Sequence, residues 1–244
     1  MLDGMDKRQN KRLLATERGE PQRRRAERRA NNRAADSPAA YPEVLARLQQ
    51  RRFTPAYKAR VDFWSDRRLG TVRHKRIVKY EDQGETSYLV AENEWVDKDG
   101  KVLLSETRKV SVVLLDGKER MLIIDSTFTA AGKPVTLGKT PFGLLGARMA
   151  KTLGVNEKEI LWKQARWVDY SGPIENGRTE GITLFDHPGN PNHPSCFHVQ
   201  NDGWMGASLT YDGPREIAAE KPLRVRYGLY VHSDLKAPAE IEKQ

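Results

Sequence analysis

The sequence predicts an all-β fold: an antiparallel β-sandwich preceded by a basic N-terminal tail, disordered or helical. Three observations carry this. From about Val61 onward, polar and apolar residues alternate with period two in several runs. Turn residues separate the runs, twice as an Asp-Gly pair, a strong hairpin signal. The spacing of an amphipathic helix appears only in short pieces. Short strands joined by tight turns each bury one face, and a sandwich covers those faces.

Residues 1–60 come first. They are rich in Arg, Ala, Gln and Asn, with QRRRAERRANNRAAD as the extreme. So little apolar surface does not repay the entropy of ordering. YPEVLARLQQRR (41–52) places Val44, Leu45 and Leu48 at helical spacing, enough for one short helix. Strands follow at TVRHKRIVKY (71–80), TSYLVAENEWV (86–96), VLLSETRKVSVVLL (102–115) and ERMLIIDSTFT (119–129). EDQGE, DKDGK and DGK supply the turns between them. FGLLGARMAKTL (142–153) reads equally as helix or strand, because its two glycines weaken a helix. PLRVRYGLYVH (222–232) puts Leu223, Val225, Tyr227, Leu229 and Val231 on one face. Residues 61–235 are expected to be the sandwich and 236–244 a C-terminal tail.

The net charge of +9 is unevenly spread. Residues 1–60 hold 16 Lys+Arg against 7 Asp+Glu, and residues 61–244 hold 26 of each. The body therefore has no net attraction to polyanions, and a nucleic-acid partner is expected only through the tail. A single cysteine excludes an internal disulfide and thiolate zinc clusters. No apolar run approaches the ~18–20 residues that span a bilayer. The first residues lack the apolar stretch of a signal peptide. The expectation is a soluble, cytoplasmic protein as written, with no membrane partner.

The densest chemistry is in FDHPGNPNHPSCFHV (185–199), with three of the five histidines and the only cysteine. Its histidines match no familiar metal-ligand spacing. Three readings stand: a metal site, a preorganised polar loop beside a ligand pocket, or a stiff proline-rich connection. Next is KQARWVDYSGP (163–173). In a strand, Trp167 and Asp169 share one face about 6–7 Å apart. An indole covers the apolar face of a sugar, and a carboxylate accepts from its hydroxyls. The alternative is a core tryptophan, and then Asp169 needs a partner such as Arg148. Asp169, Glu180 and Asp186 are close enough in sequence to raise paired-carboxylate glycosidase chemistry. Cys196 and His198 share a strand face, as a nucleophile and base would, although a lone cysteine also serves as a small buried hydrophobe.

Four stretches together resemble a bacterial family labelled PmoA-like, or "methane oxygenase PmoA": VDFW (61–64), ARWVDYSGP (165–173), GITLFDHPGNPNHPSCFHV (181–199) and LRVRYGLYVH (223–232). The label does not imply the chemistry. A membrane methane monooxygenase subunit is a bundle of transmembrane helices, for which this chain has no apolar span. The resemblance implies a soluble β-sandwich, of the large type seen in sugar mutarotases, in bacteria that degrade complex polysaccharides. By analogy it favours a carbohydrate-linked role. Family members carry a His-His-Arg, Trp and His-Gly segment before VDFW. The corresponding residues here, LARLQQRRFTPAYKAR (45–60), contain no histidine, and upstream strands are missing. A Glu-Gly before the Arg148 segment is absent too. The change of character near residue 60 has three readings: an out-of-frame or misassigned stretch, a disordered extension, or a basic arm.

The expected function is binding or processing of a carbohydrate or polyol, with no cofactor and no metal. The candidate catalytic groups are Asp169, His187 and His198. The candidate ligand contacts are Trp167, Arg148, Asp186, Asn190 and His193. The alternative is a non-enzymatic interaction module whose tail binds nucleic acid or another polyanion.

Overall fold

The four alternating runs become four long strands. β1 (Gly70–Asp82), β2 (Thr86–Asp97), β3 (Val102–Leu114) and β4 (Arg120–Ala130) pair in succession, each antiparallel to the last. Their Asp-Gly turns place Gly100 and Gly117 at φ of 80° and 71°, where glycine has no Cβ to clash. The computed structural model describes residues 61–63, 69–117, 119–149, 160–174 and 177–244. All of them belong to the unit Val61–Gln244. The basic tail and the short helix expected at 41–52 lie outside the described residues.

The later strands are mostly shorter. They are β5 (Val135–Leu137), β6 (Leu145–Arg148), β7 (Trp167–Pro173), β8 (Thr179–Asp186), β9 (Cys196–Gln200), β10 (Trp204–Ser208), β11 (Arg215–Ile217) and β12 (Leu223–Ser233). Within 142–153 the strand alternative holds for Leu145–Arg148. There Gly146 leaves room for an indole, since a Cβ would stand 2.3 Å from the Trp204 ring. Seven strands form one sheet in the order β1-β2-β3-β4-β12-β8-β7. A second sheet has the order β6-β10-β9, and β11 and β5 form a ribbon. The stretch set apart as a C-terminal tail contains a one-turn helix, α1 (Pro238–Ile241), and Ile241 is buried. Among the described residues, no helix is long and apolar enough to cross a membrane.

The core lies between the two sheets. Phe128, Leu184, Tyr170, Val225 and Tyr227 come from the large sheet, and Phe197, Val199, Met205 and Ala207 from the small one. The predicted face of β12 is the inner one, with Leu223, Val225 and Tyr227 buried. This packing covers β4, β12, β8 and β7. It does not extend to β1, whose inner-face residues Val72, Ile77 and Tyr80 are 38%, 60% and 66% exposed. The large sheet thus has a covered half and an open half. Trp95 marks the boundary, edge-on to Phe128 at 5.5 Å and to Phe63 at 4.8 Å.

The outer face of the sheet is different. Cross-strand ion pairs cover it, including Arg73–Glu94 at 2.5 Å, Arg76–Glu92 at 2.9 Å and Arg224–Asp125 at 2.5 Å. Such exposed pairs contribute about 0–1 kcal/mol each. They show that this face is solvated, which makes the apolar residues on the open inner face the anomaly.

Candidate functional site

The 185–199 stretch is organised around Asp186. This carboxylate ends β8 on the inner face and is 3% exposed. Asn190 Nδ2 donates to its Oδ1 at 2.7 Å, and His193 Nδ1 and the Ser195 amide meet its Oδ2 at 2.9 and 2.8 Å. A carboxylate only accepts, so Nδ1 of His193 carries the hydrogen. Asn190 also pairs with the backbone of β12, accepting from Arg226 N at 2.7 Å and donating to Arg226 O at 2.7 Å. Asp186, Asn190 and His193 are therefore brought together, in a clamp that ties the loop to both strands. His187 is exposed, and its Nδ1 accepts from the Gly189 amide at 3.0 Å.

Trp167 and Asp169 share a face of β7, as the alternation requires, and it is the outer face of the sheet. Trp167 is half-buried and directly opposite Phe185, so it is not a core residue. Arg148 is not the partner of Asp169. It is exposed, 3.3 Å from Asp202 and 5.6 Å from the Trp204 ring. The partner is His232, which the sequence reading missed. Its Nε2 is 2.9 Å from Asp169 Oδ1, and its Nδ1 is 3.0 Å from the Asp234 carbonyl. Both acceptors lack a hydrogen to give, so both ring nitrogens are protonated and the ring is an imidazolium. Ser171 and Thr183 also donate to Asp169, at 2.6 and 2.7 Å. Burial pushes the Asp169 carboxyl up, but these donors and the His232 charge outweigh it and hold it below its usual range. Burial likewise lowers His232, and the bond and charge of Asp169 raise it further, leaving it above its ordinary value.

The three candidate catalytic groups do not form one constellation. Asp169 is on the outer face of the large sheet. His198 alternates with the core residues Phe197 and Val199, so it is on the far face of the small sheet. There it stacks on Trp162 at 4.7 Å and meets Phe142 edge-on at 4.9 Å. Paired-carboxylate chemistry is not assembled either. Asp169 and Asp186 occupy opposite faces of the sheet. Glu180 shares the inner face with Asp186 but is six residues away on the strand, about 20 Å. Cys196 is buried, and burial together with the charge of Asp212 pushes its thiol up, away from a nucleophilic thiolate.

The open inner face carries a cluster that the sequence reading passed over. Glu106 in β3 is 1% exposed, yet five donors converge on it. Arg108 grips it side-on, with Nε 2.7 Å from Oε1 and Nη2 2.8 Å from Oε2. Ser126 Oγ reaches Oε1 at 2.8 Å, while Trp95 Nε1 and Asn93 Nδ2 reach Oε2 at 3.0 and 3.3 Å. His74 Nδ1 is 3.3 Å from Asn93 Oδ1 and extends the network to β1. Glu106 is thus saturated, while the Arg108 side chain stays 38% exposed. The signal was in the text: in VLLSETRKVSVVLL, Glu106 and Arg108 are in phase with Leu104, Val110 and Val112. Charged residues in the apolar phase of a strand need a reason. This cluster and the Asp186 clamp lie on the same face, three strands apart and four residues offset along them, so about 20 Å separate Glu106 from Asp186.

Among the described residues, no group of three or more His, Cys, Asp or Glu side chains is placed to hold a metal ion. No curated protein matches the chain. Among solved structures it is similar to heparinase III, with 12% identity and a TM-score of 0.33. The alignment covers 69% of this chain and 22% of that one, a likeness too slight to carry an argument. The sequence profile of a family of unknown function, DUF6807, matches residues 52–244. That match spans most of the chain, including every strand described above, and the protein belongs to this family.

Proposed function

We propose that this protein binds a carbohydrate or related polyol on the open inner face of its large sheet, around Arg108. One observation carries the reading. A solvent-facing guanidinium is fixed by a buried, saturated carboxylate, beside apolar side chains that no core covers. A sugar ring has both an apolar CH face and a rim of hydroxyls, and this surface offers a match for each. Ile77 and Tyr80 supply apolar area. Arg108 and His74 supply polar contacts. The resemblance to the PmoA-like family points the same way by analogy.

Binding is favoured over hydrolysis. Asp169 is on the outer face while Asp186 and Glu106 are on the inner face three strands apart, so no two of these carboxylates flank one bond. A thermal-shift screen of mono- and oligosaccharides at millimolar concentration tests the reading. A ligand at ten times its Kd stabilises by about 1.4 kcal/mol, a rise of roughly 3–6 °C for a domain of this size. No shift with any saccharide, in a chain that unfolds cooperatively, contradicts it.

A further inference from the structure

The geometry points to an acidic sugar, one bearing a carboxylate, as the ligand of this face, an inference that rests on the carbohydrate reading above. A guanidinium has two forks of parallel N–H groups. Glu106 occupies the side-on fork of Arg108, formed by Nε and Nη2. The end-on fork, formed by Nη1 and the second hydrogen of Nη2, makes no bond to the described residues. That fork matches the two oxygens of a carboxylate.

The pairing with Glu106 is a positioning device. Holding a buried ion pair is often no more stable than filling the same space with apolar side chains. Here a fully buried carboxylate with five donors fixes one arginine in a single pose, on the uncovered half of the inner face. A fixed fork binds a planar anion without first ordering a long side chain. The neighbours exclude a purely ionic site. On β1, Ile77 is level with Arg108 across Ala91, and Tyr80 is next along the same face; both present exposed apolar surface, which a bare inorganic anion does not use and a pyranose ring does. Arg73, Arg76 and Arg224 on the outer face are held by the same side-on atoms, so an open fork alone does not single out Arg108. What sets it apart is a fully buried carboxylate partner and exposed apolar side chains on the same face.

Calorimetric titration of the full chain tests this with four probes: glucuronate, galacturonate, the matching neutral hexoses, and acetate. The expected result is binding of one uronate at least about tenfold tighter than its neutral hexose and than acetate, the size of one charge-assisted pair. Arg108→Lys keeps the charge but removes the fork, and should lose about that factor. Where this variant unfolds, the acid-to-neutral ratio in the unaltered chain decides alone. Equal binding of uronate and neutral hexose overturns the acidic-sugar inference and leaves the carbohydrate reading intact. Acetate binding as tightly as uronate shows a simple anion site and overturns it too. No binding of any sugar overturns both readings.

Discussion

His232 on β12 and Asp169 on β7 meet across the single strand β8, joining residues far apart in the chain. The period-two pattern gave the face of Asp169 but not what lay beside it. Gly181 completes the arrangement: a Cβ there would come within 2.5 Å of the His232 ring. The pair also fixes a pH window. Asp169 is depressed, so its contribution is present above the unfolded carboxyl value and is lost as pH falls through the folded one. His232 is raised, so its contribution is full below its unfolded value of 6.5 and is lost as pH rises through the folded one. Urea unfolding of the unaltered chain and His232→Gln, from pH 4 to pH 9, should show the largest gap on the acid side of neutrality. The gap should shrink at alkaline pH. A gap that widens with rising pH would show that the ring is neutral in the folded protein.

At the level of elements, the long hairpins were legible and the short strands were not. β1 to β4 each run for eleven residues or more, so alternation and Asp-Gly turns reinforce one another. β5 and β11 have three residues and β6 has four, too few to show a period. The insertion of β12 between β4 and β8 follows from no local signal, since pairing partners distant in sequence leave no mark in either segment. The 185–199 stretch, for which the sequence leaves open a metal site, a polar ligand loop and a stiff connection, is tied to β8 through Asp186 and to β12 through Asn190. Its histidines were singled out for density alone, which gives no depth and no direction. The open face of β1 yields a sharper prediction. Ile77 and Tyr80 are mostly exposed, so Ile77→Ser and Tyr80→Ser should each change stability by less than about 0.5 kcal/mol. Both should weaken saccharide binding several-fold. Variants that keep full affinity, read by the same calorimetric titration, would remove the apolar surface from the site.

For the whole molecule, charge and patterning placed the start of the body near residue 60. The family profile begins at residue 52, inside the stretch assigned to the basic tail. Arg51, Arg52, Lys58 and Arg60 made that stretch look like tail, because composition reports charge density and not membership of a fold. The sandwich itself was legible, but its asymmetry was not. Only the packed structure shows that the small sheet covers half of the large one and leaves Arg108 facing solvent. On the proposal made here, this uncovered half is the ligand surface. Amide and indole chemical-shift mapping during a uronate titration tests it most directly. The largest shifts should fall on His74, Asn93, the Trp95 indole and Arg108. Shifts confined to His187 and its neighbours, or absent altogether, would contradict it.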